Sequence, residues 1–361
     1  MAFTFYLTWF KLLALFKESI MRHLSIYMRL VFFTFCYLSS PYLEAAYTIK
    51  NGRIVDVDKL ATLQPDQHFS LGQTAMNNGD WQEASRQFAI VSNNFPNNPY
   101  GQQSLYYLGI AEFNLKEYDF ANKAFSAYLK CQNNPPYFLE AIEYKYAIAE
   151  QLRGGAKRRL LGTKQLPKWS TGKSLALAIY DEVLTAMPSH EMAAQALYAK
   201  GCLLWEKREY RLSIESFQLL CSRFPKNELT PTSYVNISCI YYDLCQNEPQ
   251  NPDVLAFAEL NAKKFIHEFP KDERIDKVRQ NVQQIKECYA TALYETARYY
   301  EKIKQPRASL IYYSNAIKNF PDTLVAQRCR DRLEQMGFSH DARALAPLVF
   351  PVPSGKKDKN S

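Results

Sequence analysis

Glycine and histidine are scarce in this chain of 361 residues, which contains 12 glycines and five histidines. The low glycine content favours helix. Because 47% of the residues are hydrophobic and 22% are charged, the composition is that of a globular protein and excludes a disordered chain. The formal charge of +8 permits acidic or phosphate-rich partners without requiring them.

The motifs of common catalytic and metal sites are missing. No two cysteines have C-x-x-C spacing, no serine sits in G-x-S-x-G, and the glycine–lysine spacing after Gly155 does not fit a phosphate-binding loop. His190-Glu191 lacks the second histidine of the zinc-protease motif and indicates a helix start. We therefore expect no catalytic residues, no metal, no cofactor and no nucleic-acid partner, and a protein that is not an enzyme.

Cysteine is represented by eight residues, most of them in stretches with helical periodicity. A free cysteine in a helix behaves as a small hydrophobic residue, so we interpret most of them as core filler. Removal of Cys36 with a leader would leave an odd number, and one thiol would then lack a partner within the chain. An intermolecular bond in an oxidising compartment remains an open alternative.

Residues 1–46 are apolar, yet even this N-terminal region lacks a long uninterrupted apolar run. Arg22 and Arg29 precede a run from Leu30 to Leu38, and small residues follow at Ala45 and Ala46. A basic flank, a short apolar core and a small-residue end are typical of a signal peptide. Spanning a bilayer takes about twenty residues, so cleavage near residue 45 or 46 is the prediction. An uncleaved anchor formed by both apolar stretches of this region is the alternative.

The leader is long, so Met21 or Met28 is a candidate for the true start. Cys36 is the candidate for lipidation. The large Phe35 precedes it, where a lipoprotein signal requires a small residue, so lipidation is not expected.

A repeat is marked by prolines at regular distances from small and aromatic residues. Small residues lie twelve positions before five prolines, and rings lie eight positions before four of them. The small residues are Ala84, Ala176, Ser213, Ala258 and Ser309, and the rings are Phe88, Tyr180, Phe217 and Tyr313. A further small residue lies twelve positions earlier in three units, at Gly72, Gly201 and Ala297. A sixth unit keeps Gly109, Ala121 and Phe125, with its prolines displaced.

This spacing predicts pairs of antiparallel helices. A small residue on the first helix allows close approach of the second, the ring fills the remaining gap toward the next unit, and proline stops the second helix. Asp80 and Glu83 form a candidate capping box, and Gly79 ends the preceding helix. The pattern is that of tetratricopeptide repeats. We predict an all-α tetratricopeptide-repeat α-solenoid of about five to six helix pairs.

The predicted organisation follows from these units. Residues 47–65 form an extended segment, 66–152 the N-terminal units, and 174–336 the C-terminal units with a closing helix. Residues 153–173 are a basic insertion, and 337–361 form a disordered tail rich in proline and lysine.

Two surfaces are candidates for partner binding. The first helices of the first two units are expected to line a peptide groove, with ordinary packing between units as the alternative. Its residues are Phe69, Gln73, Met76, Asn77, Tyr106, Ile110, Phe113 and Asn114. The insertion carries seven basic residues and no acidic one, which predicts a docking loop for anionic lipid or an acidic partner. Its residues are Arg158, Arg159, Lys164 and Lys168, and a plain solvated loop is the alternative.

The last repeat resembles a known family. The stretches "ETARYYEK", "PRASLIYYSNAIKNFPDT" and "RDRL" are similar to the last repeat of BamD-type (YfiO-type) outer-membrane assembly proteins. Residues 80–129 resemble the first two repeats of that family, and the likeness covers roughly residues 66–336.

The resemblance implies a periplasmic scaffold on the inner face of the outer membrane. Its implied partners are the barrel insertase with its accessory proteins and unfolded outer-membrane protein clients. Two alternatives stay open: an envelope adaptor in cell division or peptidoglycan coordination, and an anchored regulatory repeat protein.

Overall fold

The computed structural model describes residues 47–50, 53–56, 60–131, 133–247 and 251–338. The predicted leader with Cys36, and the tail beyond residue 338, lie outside these ranges. The chain divides into two compact units, one up to Ser104 and one from Leu105 onward.

The first unit begins with a β-hairpin. β1 (Tyr47–Lys50) pairs antiparallel with β2 (Arg53–Asp56), with Tyr47 opposite Asp56. α1 (Pro65–Asn77) and α2 (Trp81–Asn94) follow, and α3 (Pro99–Asn114) starts in this unit. The extended segment predicted before the repeats therefore contains a paired hairpin.

Packing of α1 on α2 confirms the small-residue rule. A Cβ on Gly72 would lie 2.8 Å from the Phe88 ring, so only glycine lets the two helices approach this closely. Asp80 accepts a hydrogen bond from the Glu83 amide at 3.0 Å and thereby caps α2. The Glu83 side chain accepts from Gln87.

The second unit consists of helices and one further hairpin. Its elements are the rest of α3, α4 (Tyr118–Cys131), α5 (Phe138–Arg153), β3 (Lys157–Arg159), β4 (Lys168–Thr171), α6 (Lys173–Ala186), α7 (Glu191–Glu206), α8 (Tyr210–Arg223), α9 (Leu229–Asn247), α10 (Pro252–Glu268), α11 (Ile275–Lys302), α12 (Pro306–Asn319) and α13 (Leu324–Gln335). The described ranges thus hold six helix pairs and a closing helix, which confirms the predicted all-α fold.

The same contact recurs along the second unit. A Cβ on Gly109 would lie 2.6 Å from the Phe125 ring, and one on Gly201 would lie 2.8 Å from the Phe217 ring. The ring therefore packs on the glycine of its own unit. Phe125 also stacks on Tyr144 of the next helix pair, with ring centroids 5.2 Å apart. Phe125 thus makes both contacts: it packs closely on the glycine of its own unit, and it faces the next unit, as predicted.

The closing helix α13 is anchored at its start. Thr323 accepts from the Ala326 amide at 3.1 Å, and the Glu287 carboxylate of α11 accepts from the Leu324 amide at 2.6 Å. A carboxylate at a helix N-terminus satisfies free amides and interacts favourably with the helix dipole. The end of the repeat array is therefore fixed to α11.

Candidate functional site

The predicted groove residues of α1 divide into one core residue and three accessible ones. Phe69 is buried against Phe88, with ring centroids 5.6 Å apart. Gln73 and Met76 are half-buried and Asn77 is exposed. Phe69 therefore packs the core, as the alternative interpretation had it, and three residues of the first unit remain available to a ligand.

The predicted groove residues of α3 are also mixed. Tyr106 is buried and stacks on Tyr137 at 4.5 Å, so it belongs to the core. Phe113 and Ile110 are half-buried and pack against the same core. Asn114 is exposed, but its amide donates to the Ile110 carbonyl at 2.9 Å. Of the four, Tyr106 is the one that the structure removes from the candidate groove.

The basic insertion is an ordered hairpin, and three of its cations are bound to the chain's own acids. Arg159 Nε donates to Glu117 at 3.0 Å, and Lys168 Nζ lies 3.3 Å from the same carboxylate. Lys164 pairs with Glu112 and lies over the Phe120 ring. Three of the four predicted docking residues are therefore neutralised by the end of α3 and the start of α4. This arrangement is called the hairpin latch below: Glu112 and Glu117 with Arg159, Lys164 and Lys168.

Charge and burial explain why the latch holds. Burial opposes ionisation of Glu117, but hydrogen bonds from Arg159 and Lys168 outweigh it, so the pKa of Glu117 lies below its usual value of 4.5. Charge-assisted hydrogen bonds of this type are the strong ones in proteins. The insertion is thus neither a solvated loop nor a free cationic surface.

The outer surface of the hairpin carries apolar groups. Trp169 is 73% exposed and Leu160 is 40% exposed. The remaining predicted docking residue, Arg158, is half-buried in β3 opposite Ser170. The exposed side chains of the hairpin therefore include Trp169 on β4 and Lys157 on β3.

Replacing Glu117 by glutamine is expected to loosen the hairpin. The variant keeps the volume but removes the charge that Arg159 and Lys168 share, and hydrogen bonds to charged groups contribute about 1.5–3 kcal/mol. Backbone amides of β3 and β4 should then exchange with deuterium roughly tenfold faster, with 1.4 kcal/mol taken per factor of ten. Hydrogen exchange with mass spectrometry measures this.

The matched control is Glu143→Gln on α5, because Glu143 is exposed. Lowering the pH should loosen the hairpin of the native protein, just as Glu117→Gln does. The pKa of Glu117 is lower in the folded state, so the stabilisation is present above pH 4.5 and lost as the pH falls through the folded value. Equal exchange in Glu117→Gln and Glu143→Gln would mean that the latch does not hold the hairpin.

A groove that the sequence did not indicate runs between α8 and α10, with α9 as its floor. It consists of two adjoining clefts of about 560 and 360 Å³ that share Gln218, Tyr241 and Phe257. Phe257 is 53% exposed and Leu260 is 49% exposed. We call this surface, from Arg211 to Glu268, the α8–α10 groove.

Charges of both signs lie along the α8–α10 groove. Arg211, Lys264, Glu215 and Glu268 line the clefts, and the Tyr234 hydroxyl donates to Glu268 at 3.0 Å. The sequence signal was weak: Phe257 and Leu260 are extra apolar residues beside the buried stripe of α10. Such residues can be distinguished from core residues only when the positions of the neighbouring helices are known.

The tyrosine-rich last repeat is mostly structural. Tyr313 is buried and donates to Glu301 at 3.0 Å, and Tyr312 stacks on Tyr300 at 5.3 Å. Arg332 of α13 also donates to Glu301, at 3.2 Å from its Nε. Tyr299, which is 60% exposed, is the ring of this repeat that is open to a partner.

Metal-ligand clusters and membrane-spanning helices are the remaining features to consider in the described ranges. No group of three or more His, Cys, Asp or Glu side chains there is arranged to hold a metal ion. None of the helices in those ranges has the length and apolar character that crossing a membrane requires. His190 lies before α7, and its ring accepts from the Met192 amide at 3.2 Å, as expected of a helix start.

Comparison with known families shows to which family of repeat proteins the chain belongs. Residues 61–144 and 244–346 match the model of the family YfiO, described as outer membrane lipoprotein. These two stretches make up more than half of the chain. It belongs to the YfiO family. The match leaves out the middle of this YfiO-family chain, where the hairpin of β3 and β4 and the helices α6 to α8 lie.

Solved structures of repeat proteins are similar to parts of the YfiO-family chain. A tetratricopeptide-repeat protein from Bacteroides fragilis is 13% identical, with a TM-score of 0.38, and the match covers 76% of this chain and 100% of that one. MamA from Desulfovibrio magneticus is 18% identical, with a TM-score of 0.31, and the match covers 58% of this chain and 97% of that one. No curated protein matches the chain. Neither structural likeness bears on function.

Proposed function

We propose that this chain is a non-catalytic scaffold on the periplasmic face of the outer membrane that takes part in assembly of outer-membrane β-barrel proteins. Membership of a family described as outer membrane lipoprotein is the observation that carries the proposal. Matches at both ends of the repeat array support it further. In this role the chain holds unfolded client segments and contacts the barrel insertase and its accessory proteins.

Stacked helix pairs suit a scaffold because they present long surfaces without an enclosed reaction chamber. The α8–α10 groove offers exposed Phe257 and Leu260 beside charges of both signs. Its α8 wall, from Arg211 to Ser222, is about 17 Å long at 1.5 Å per residue, the length of about five residues of extended chain. An extended client segment with apolar and charged side chains fits this surface.

Crosslinked purification of the chain from native membranes, with identification of the partners, tests the role. We expect the barrel insertase among the partners. Recovery of division or peptidoglycan proteins without it would favour the envelope adaptor. Mass spectrometry of the mature N-terminus separates cleavage near Ala45 or Ala46 from a lipidated Cys36 and from a retained anchor.

Photo-crosslinking maps the client surface. A photoreactive residue is placed singly at Phe257 or Leu260 in the α8–α10 groove, and at Met76 or Asn114 for the predicted groove on the first helices. An unfolded barrel precursor is then added. We expect crosslinks at Phe257 and Leu260 that exceed those at exposed Glu143, the control, at least fivefold, because both half-exposed apolar side chains lie in the groove. Crosslinks confined to Met76 and Asn114 would place clients on the first helices instead.

A further inference from the structure

Two cysteines from different helices meet in the second unit. Cys245 lies near the end of α9 and is fully buried, whereas Cys288 lies in the middle of α11 and is partly exposed. Cys288 Sγ lies 3.8 Å from the Cys245 carbonyl oxygen, and the two thiols share a side-chain hydrogen bond. The residues are 43 positions apart in sequence, so the fold brings them together.

The surroundings of the pair favour a bond between the two sulfurs. Cys245 belongs to the core cluster of α8 to α11, and Cys288 packs against this cluster. Cys239, which precedes Cys245 by less than two helical turns, faces Asn281 instead, with the Asn281 amide 3.3 Å from its sulfur. Of the two cysteines on α9, Cys245 is therefore the one that lies beside Cys288.

We propose that Cys245 and Cys288 form a disulfide that braces α9 against α11. The reactant is a disulfide oxidant, which is glutathione disulfide in the test and a protein disulfide in an oxidising compartment. The Cys288 thiolate attacks the oxidant's disulfide, and one oxidant thiol leaves. The Cys245 thiolate then attacks Cys288 Sγ and releases the second oxidant thiol. Two cysteine thiols are oxidised, one oxidant disulfide is reduced, and the protons end on the oxidant's thiols.

Burial controls the rate of this reaction. Burial, and after it the hydrogen bond with Cys288, raises the pKa of the Cys245 thiol to about 12. The reactive form is the thiolate, so the second step is slow in the native fold. The bond is expected to form during folding, before the core cluster of α8 to α11 buries Cys245.

The decisive experiment uses the purified full chain, unfolded in urea under reduction and refolded with glutathione disulfide. After alkylation with N-ethylmaleimide and trypsin digestion, we expect the peptide 287–298, which contains Cys288, to be linked to the peptide 227–263. That second peptide contains Cys239 as well as Cys245. The variant Cys239→Ser should keep the link, and Cys245→Ser should abolish it.

A measurement of thermal stability complements the mapping of the disulfide-linked peptides. Cys288 is partly exposed, so Cys288→Ser disturbs the core least. Reduction should lower the Tm of the oxidised native protein by on the order of 5 °C, because a bond that closes a long loop restricts the unfolded chain. The Tm of Cys288→Ser should not respond to reductant. Complete alkylation of both cysteines after refolding, or a link from Cys288 to Cys239, would overturn the proposal.

Occurrence of the bond in the cell rests on the proposed periplasmic location, whereas its formation in the refolding experiment does not. The second arm therefore traps the thiols of the chain in intact cells with N-ethylmaleimide. A link formed in both arms supports the pair and the compartment together. A link formed in the refolding arm alone supports the pair and counts against the proposed location.

Discussion

Replacing Gly201 by valine is expected to destabilise the protein by about 3 kcal/mol, at the upper end of the effects of overfilling a packed core. Gly201 lies on α7, where a Cβ would come within 2.8 Å of two atoms of the Phe217 ring. Phe217 is fully buried, so its ring cannot move into solvent. Denaturant unfolding followed by circular dichroism measures the loss.

Two opposing effects determine whether a substitution at Gly201 stabilises or destabilises the protein. Glycine inside a helix is less favourable than alanine by roughly 0.5–1 kcal/mol, so helix propensity alone would make a substitution stabilising. Overfilling a packed core costs typically about 1–3 kcal/mol. Contact at 2.8 Å is shorter than real Cβ contacts, so the clash outweighs the propensity. Gly201→Ala should therefore destabilise as well, though less than valine.

A control and a compensating change sharpen this test. Ala178→Val adds valine at an exposed position of α6 and should change stability by less than about 0.5 kcal/mol. Phe217→Leu makes room on the facing helix, so the double variant should be at least 1 kcal/mol more stable than the sum of the two single changes predicts, about the size of coupling expected for residues in contact. Additive losses would show that the ring does not set the size limit.

Replacing Lys145 by alanine is expected to cost about 3 kcal/mol, within the range of about 2–5 kcal/mol for truncating a large buried side chain to alanine. Lys145 of α5 is fully buried, and its ammonium lies 2.6 Å from Glu182 of α6. It also donates to Asn122 at 2.7 Å and to Ser126 at 2.6 Å, both on α4. A single side chain thus joins three helices, and alanine removes both the hydrogen bonds and the buried methylenes.

The control separates burial from charge pairing. Lys200 and Asp181 also form a lysine–carboxylate pair at 2.6 Å. The carboxylate is exposed in both pairs, but Lys145 is fully buried, whereas Lys200 is half-buried. Exposed pairs contribute about 0–1 kcal/mol, so Lys200→Ala should have a small effect. Equal losses in Lys145→Ala and Lys200→Ala would mean that the buried network is not special. Lys145→Met keeps most of the packing and should lose less than alanine.

The pH dependence of this network has a defined sign. Burial lowers the pKa of Lys145 below 10.5, and the hydrogen bond with Glu182 offsets part of that effect. Between the folded and the unfolded pKa, the unfolded chain binds more protons, so the contribution of Lys145 to the free energy of unfolding rises with pH up to 10.5. The advantage of the native protein over Lys145→Met should therefore grow as the pH rises toward that value.

The repeat could be predicted because its signals are local. Gly72, Gly109 and Gly201 each lie sixteen residues before the ring that covers them, since one helix, a short turn and half of the next helix fix that distance. Proline and capping residues mark the helix ends within the same window. These constraints act between close neighbours in sequence, so one chain is enough to show them.

The turns inside the units show where local reasoning stops. Gly79 is the turn residue that the sequence indicated, and its φ is 76°. Lys116, Arg208 and Lys304 occupy the corresponding turns with φ near 60°, although none is glycine. The left-handed conformation costs a non-glycine residue roughly 1–2 kcal/mol, which the packing of the two helices must outweigh. That balance cannot be seen in the turn sequence.

The candidate surfaces depended still more on the fold. Phe69 and Tyr106 have the spacing of groove residues, yet neighbouring rings bury both. The basic residues of the insertion suggested an exposed docking loop, yet Arg159 meets Glu117 across 42 residues of sequence. A run of like charges in sequence says nothing about where the opposite charges lie in space.

By itself, the sequence determined the helix-pair repeat, its closing helix and the likeness to a family of outer-membrane assembly proteins, because periodicity, prolines and capping residues act within about forty residues. The tertiary structure alone decided the rest: the hairpin latch, the α8–α10 groove, the buried Lys145 and the proximity of Cys288 to Cys245. Each of these brings together side chains from different secondary-structure elements. Burial, charge pairing and thiol contact are properties of that packing, and packing is set by the whole fold.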